Sequence, residues 1–173
     1  PVAGNVDLIL LVTGADGYRA IQPRRLERAA ALAWEAGASP ALVLTKCDLV
    51  DDWPELITEA TAALPGVPAV AVSLDAEDGV DAVRAMLRPA RTAVLLGPSG
   101  VGKSTLTNRL LETERQATGD VREGDAKGRH TTTSRELFLV PGGGAVIDTP
   151  GMRELGLWTG DQGGVAATFT DLE

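Results

Sequence analysis

A three-layer α/β fold, with a mostly parallel sheet between two layers of helices, is what this sequence predicts, and three observations predict it. Short runs of branched apolar residues, such as Val6 to Val12 and Ala41 to Thr45, read as strands buried on both faces. Longer segments between them carry helix start and stop signals. The two kinds of segment alternate, which implies right-handed crossovers and a sheet whose ligands bind at the carboxyl ends of its strands.

The elements follow in order. Val6 to Val12 is the first strand. Pro23 suits a first helical position and Gly37 a stop, so Pro23 to Gly37 reads as a helix. Ala41 to Thr45 is the second strand. Asp51 or Asp52 can cap a helix running to about Leu64, where Pro65 and Gly66 end it. Ala69 to Ser73 is a third strand, Asp78 to Arg88 a third helix, Thr92 to Gly97 a fourth strand and Lys103 to Leu111 a fourth helix. Glu112 to Ser134 is then a long polar stretch punctuated by Gly119, Gly124 and Gly128; loops of this length are usually functional or mobile. Arg135 to Val140 and Ala145 to Thr149 read as strands joined by the turn Pro141 to Gly144, which makes one antiparallel edge. A Gly-rich tail follows from Pro150.

A chain of 173 residues suits one domain spanning 1–173. Aromatics are 3% of a chain that is 44% hydrophobic, so Val, Leu, Ala and Ile must build the core. A formal net charge of −8 argues against indiscriminate nucleic-acid binding, though not against a local basic patch. The single cysteine, Cys47, excludes an internal disulfide and a Cys-rich metal site. One thiol, no leader pattern and no long apolar run fit a cytoplasmic chain without a membrane segment, and a monomer is expected.

Five motifs carry chemistry, each just after a predicted strand or in the long loop. GPSGVGKS, Gly97 to Ser104, matches the phosphate-loop pattern between a strand and a helix. Its glycines let successive backbone N–H groups wrap phosphates, and the next helix aims its positive end at them. Pro98, Ser99, Gly100, Val101, Gly102, Lys103, Ser104 and Thr105 are therefore nucleotide-binding candidates. Lys103 should reach the outer phosphates and Ser104 should ligate Mg²⁺. TKCD, Thr45 to Asp48, can read guanine: a carboxylate accepts from the ring N–H and amino group, a donor pair adenine lacks. Lys46 can lie along the base face. The common form begins with Asn; Thr45 keeps a hydroxyl able to tie loops together. DTPG, Asp148 to Gly151, can hold Mg²⁺ through water at Asp148 and meet the γ-phosphate at Gly151. In RHTTT, Arg129 to Thr133, a threonine hydroxyl, assigned to Thr132, can complete the Mg²⁺ shell; a polar surface loop is the bland reading. SLD, with Ser73 and Leu74, can support the base through its backbone or be a plain strand-end turn.

Ras-like GTPases run phosphate loop, switch threonine, DxxG, NKxD and then the Ser-Ala turn. Here the order is TKCD, SLD, GPSGVGKS, RHTTT, DTPG, so the phosphate-loop NTPase fold is expected in circularly permuted form. With NVDLILLV, VLTKCDLV, KGRHTTTSREL and DTPGMRELGLW, the sequence resembles the GTPase domain of the RsgA (YjeQ/YloQ) family along nearly its whole length. Permuted order alone also admits the YlqF/YawG type. The resemblance implies binding of GTP and GDP and GTP hydrolysis stimulated by the small ribosomal subunit during its late maturation. It also implies subunit and rRNA partners, and flanking OB-fold and zinc domains outside this chain. Zinc is not expected here, because one cysteine and one histidine cannot make a four-ligand site.

Met152 stands where Ras-like enzymes place the water-orienting glutamine. The one histidine, His130, lies beside the loop threonines and can orient or deprotonate water near neutral pH. The resemblance also favours His130 as catalytic; a solvated or RNA-contacting histidine is the alternative. Arg122, Lys127, Arg129 and Arg135 can meet RNA phosphate or be tied down by acidic neighbours. Competing functions are a GTP/GDP-sensing module with negligible turnover and, against Asp48, an ATPase. The loop 112–134 is expected to be partly disordered, or differently folded, with GDP or no nucleotide.

Overall fold

The computed structural model describes residues 5–16, 21–73, 79–88, 90–112 and 136–148, with backbone alone for Glu136 and Asp148. Its elements are β1 (Leu8–Gly14), α1 (Pro23–Glu35), β2 (Ser39–Thr45), α2 (Trp53–Ala63), β3 (Ala69–Ala71), α3 (Val80–Met86), β4 (Thr92–Leu96), α4 (Lys103–Leu111), β5 (Glu136–Leu139) and β6 (Ala145–Asp148), with a single 3₁₀ turn at Cys47–Leu49. The strands form one sheet in the order β3-β2-β1-β4-β6-β5. Every neighbouring pair is parallel except β5 with β6.

The alternation along β1 explains the three layers. Leu8, Leu10 and Val12 face one core cluster with Val80, Val83 and Leu87 of the α3 region and Leu106 and Leu110 of α4. Ile9 and Leu11 face the other, with Leu26, Ala29, Ala30 and Ala33 of α1 and Ala60 of α2. Small alanines let α1 lie close to the sheet. Leu10 and Leu11 have no exposure at all, so truncating either to Ala should cost about 2–5 kcal/mol.

Local signals account for most boundaries. Pro23 opens α1. Gly37 ends it at φ 75°, donating to Trp34 O while Ala38 donates to Ala33 O, the paired bonds of a Schellman stop. Asp52 does occupy the position before α2, but its side chain makes no capping hydrogen bond; Pro54 in the first turn pre-sets φ and has no N–H to satisfy. β1 lies two residues later than its apolar run indicates, because Thr13 and Gly14 continue the ladder opposite Leu44 and Thr45. α3 starts late, after Gly79 at φ 79°, where any Cβ would strike the carbonyl of Ala71. The β5–β6 turn closes with Val140 N donating to Gly144 O and Gly143 N to Val140 O. Gly142, Gly143 and Gly144 all have positive φ there, which explains the glycine run.

Candidate nucleotide site

Parallel pairing puts the carboxyl ends of β1, β2, β3, β4 and β6 along one edge of the sheet. The chain builds outward from β1 to β2 and β3, then crosses back to β4 on β1's other side. The reversal makes a switch point between β1 and β4, the place where such sheets take ligands. The loops after β2 and β4 lie at this edge, with Ser73, just beyond β3, bonded to the first of them.

The phosphate loop leaves β4 at Gly97, which is buried against β1: a Cβ at Gly97 would collide with the Val12 carbonyl. Gly100 and Gly102 have φ of 80° and 91°, left-handed values that favour glycine. Gly102 precedes α4, whose first turn has no side-chain cap. The N–H groups there therefore point out of the helix toward the loop. Pro98, Val101, Ser104 and Thr105 are half-buried around it, with Ser99 and Gly100 exposed. Lys103 Nζ donates to Gly97 O at 2.7 Å and Pro98 O at 2.5 Å, holding its ammonium in the cup of the loop.

The loop after β2 is tied to this cup. Thr45 is fully buried. Its hydroxyl lies 2.6 Å from Val101 O in the phosphate loop and 3.1 Å from Thr13 O at the end of β1. One hydroxyl has one proton, so the shorter contact takes it. Lys46 then turns into the left-handed region at φ 60° and pairs with Asp16 at 2.8 Å. Asp48 is exposed, and the Ser73 hydroxyl donates to its Oδ1 at 3.0 Å. Ser73 was expected to support the base through its backbone or to be a plain strand-end turn; its side chain, in addition, bonds the candidate base-reading carboxylate. Cys47 packs beneath, with its thiol donating to Leu44 O at 3.3 Å. Burial, with Asp48 nearby, pushes that thiol up from its ordinary value despite the Val72 backbone contact.

A model of the RsgA GTPase family matches residues 1–158. The chain belongs to the RsgA GTPase family. It is 45% identical over 171 residues, 99% of its length, to a protein of Oceanobacillus iheyensis named small ribosomal subunit biogenesis GTPase RsgA 1. A Streptomyces avermitilis protein named small ribosomal subunit biogenesis GTPase RsgA is 49% identical over 152 residues, 86% of the chain. The chain spans about half the length of these curated relatives, 48% and 40% respectively. Among solved structures it is similar to YjeQ from Thermotoga maritima, with TM-score 0.64 and 25% identity over 84% of this chain and 48% of that one. YloQ, described as a circularly permuted GTPase, gives TM-score 0.55 and 23% identity over 97% of this chain and 52% of that one, and so shares the fold. The sheet is thus a phosphate-loop α/β sheet with circularly permuted connections.

Within this RsgA GTPase fold, Thr45, Lys46, Asp48, Ser73 and the phosphate loop come together at the strand ends. Asp148 ends β6 beside β4, one residue beyond the Val94–Ile147 pair. Leu74, His130, Thr132 and Gly151 lie outside the described residues, as does the 112–134 loop beyond Glu112. Asp16 was missed by sequence reasoning. No local pattern marks it, because its partner lies thirty residues on.

Proposed function

We propose that the chain is the GTP-binding and GTP-hydrolysing domain of a ribosome-associated GTPase, cytoplasmic and monomeric, acting in late maturation of the small ribosomal subunit. The names of its relatives support the ribosomal role. One observation carries the chemistry: the Thr45 hydroxyl joins the phosphate loop directly to the loop bearing Asp48. A ligand gripped by both needs phosphates at one end and a guanine-like donor pair at the other.

On this reading, the backbone of Pro98 to Thr105 binds the phosphates and Lys103 neutralises their charge. Asp48 accepts from the base, oriented by Ser73. The residues that would lie near the outer phosphates carry oxygens suited to a hard cation: Ser104 in the first turn of α4, and Asp148 at the end of the strand beside β4. Ser104, Asp148 and, from the long loop, Thr132 would hold Mg²⁺, which when bound offsets charge on the transferring phosphoryl group. Gly151 would meet the γ-phosphate, and His130 would orient the attacking water. Met152 has no group for that task, which also favours a second reading, a GTP/GDP sensor with negligible turnover of its own. The RNA contact would fall to Arg122, Lys127, Arg129 and Arg135. Zinc would belong to a flanking domain of the longer family members.

The test is GTP turnover by the purified chain, and by a full-length relative carrying the same site, with and without small ribosomal subunits. Stimulation by orders of magnitude is expected at least in the full-length protein. Equal turnover with and without subunits in both would favour the sensor, and binding of ATP in preference to GTP would remove the guanine assignment.

A further inference from the structure

Lys46 stands in an unusual place. Its backbone leaves β2 in the left-handed region, at φ 60°, a conformation non-glycine residues adopt at a cost of roughly 1 kcal/mol. Its Nζ reaches the turn after β1, where Asp16 Oδ2 receives it at 2.8 Å. Both side chains are only partly exposed, 29% for Lys46 and 36% for Asp16. That turn is itself fixed to β2, because Ala15 N donates to Thr45 O at 2.8 Å. Gly14 makes room for the pair. A Cβ there would sit 2.8 Å from Asp16 Oδ1, which would have to shift, while 3.5 Å to Lys46 Cδ is ordinary contact. The left-handed Lys46 backbone, the Asp16 carboxylate, the Ala15–Thr45 bond and Gly14 therefore converge on where one ammonium sits.

We propose that Asp16 is a positioning residue for guanine recognition, anchoring the Lys46 ammonium so that the lysine stem lies ready along the base face. The proposal rests on the nucleotide reading above and goes beyond it, since Asp16 belongs to no nucleotide motif. A free lysine side chain surrenders its rotamer freedom when a base docks on it. With the ammonium already held, that ordering is done before the ligand arrives, and affinity improves through preorganisation. Asp16 touches Lys46 and not the phosphate loop, so its effect belongs to the base end of the ligand. GDP and GTP should feel it equally.

The experiment is an equilibrium titration of GDP and GTP against the parent, Asp16→Asn, Asp16→Ser, Asp16→Glu, Lys46→Ala and the double variant Asp16→Asn/Lys46→Ala. A partly exposed ion pair of this kind is worth up to about 1 kcal/mol, so Asp16→Asn should weaken GDP and GTP by the same factor, roughly fivefold. Asp16→Ser should do the same, Asp16→Glu should recover most of the loss, and all should melt with the parent. In the Lys46→Ala background, removing Asp16 should change nothing further, because the side chain it acts through is gone. A parent that binds neither nucleotide overturns the nucleotide reading and the proposal together. A parent that binds well, with Asp16→Asn and Asp16→Ser indistinguishable from it, overturns the proposal alone. So does a full additive loss in the double variant.

Discussion

Replacing Thr45 with Val tests whether one hydroxyl joins the two halves of the site. Valine keeps the shape of threonine, so the change opens no cavity in a position with no exposure. It removes the donor 2.6 Å from Val101 O, and nothing else in the side chain can replace it. The half-buried Val101 carbonyl then loses a partner. A lost hydrogen bond of this type, with the acceptor left behind, costs about 1–3 kcal/mol. For a chain of this size a loss of about 2 kcal/mol lowers Tm by roughly 4–8 °C. The phosphate loop also loses its tether to β2, and part of its ordering must then be supplied by the ligand. GDP affinity should fall about tenfold, equivalent to about 1.4 kcal/mol. Thr45→Ser, which keeps the donor, should bind GDP nearly as the parent does. Thermal unfolding and titration of a fluorescent GDP analogue measure both quantities. A Val variant with parental Tm and parental GDP affinity would refute the idea that this hydroxyl carries the connection.

Lys103→Ala should abolish tight nucleotide binding in a folded chain, since its ammonium is the one held in the cup of the loop; unchanged GTP affinity would remove the phosphate-loop role. Asp48→Asn should shift preference toward xanthine nucleotides, because the amide can donate to xanthine's extra carbonyl; competition between GTP and XTP reads this directly. His130→Ala should leave GDP affinity nearly unchanged and lower subunit-stimulated single turnover by roughly 10²-fold or more. The raised Cys47 value means the unfolded thiol ionises first, so its contribution to stability is complete below pH about 8.5 and is lost as pH rises toward the folded value. Urea unfolding of parent and Cys47→Ala across pH 7 to 10 should therefore show a steeper alkaline decline in the parent.

The fold was legible because its signals are local. Apolar runs of strand length, Pro23, Gly37 and the glycines of the β5–β6 turn each act within a few residues, and their elements fall close to the expected bounds. The misses share a different character. Thr13 and Gly14 join β1 because β2 offers them ladder partners, which no hydrophobic pattern encodes. The Asp52 side chain is a competent cap in composition, yet its backbone, at φ −90° and ψ 12°, lies outside the extended region that capping residues typically adopt, which composition does not specify. Within the site, the motif residues were visible because spacing alone identifies them. Asp16 and the side-chain role of Ser73 were not, since each is defined by a partner on another strand. Thr45 lies between: its chemistry was readable as a tie, and only the folded chain shows that Val101 is what it ties.

The strand order also bears on how the chain is made. During synthesis β1, β2 and β3 emerge before β4, although β4 is the neighbour of β1 on its other side. At about 5–20 residues per second, the nascent sheet waits on the order of seconds with one long side of β1 unpaired. All seven residues of that strand are buried in the finished protein, so the waiting edge is hydrophobic and ready to pair with any passing strand. A nascent chain halted after β3 should therefore be a chaperone substrate, and one released past β6 should not, because β4 only moves the open edge outward until β6 covers it. Codon or temperature changes that lengthen this interval would lower the yield of folded protein without altering the stability of what does fold.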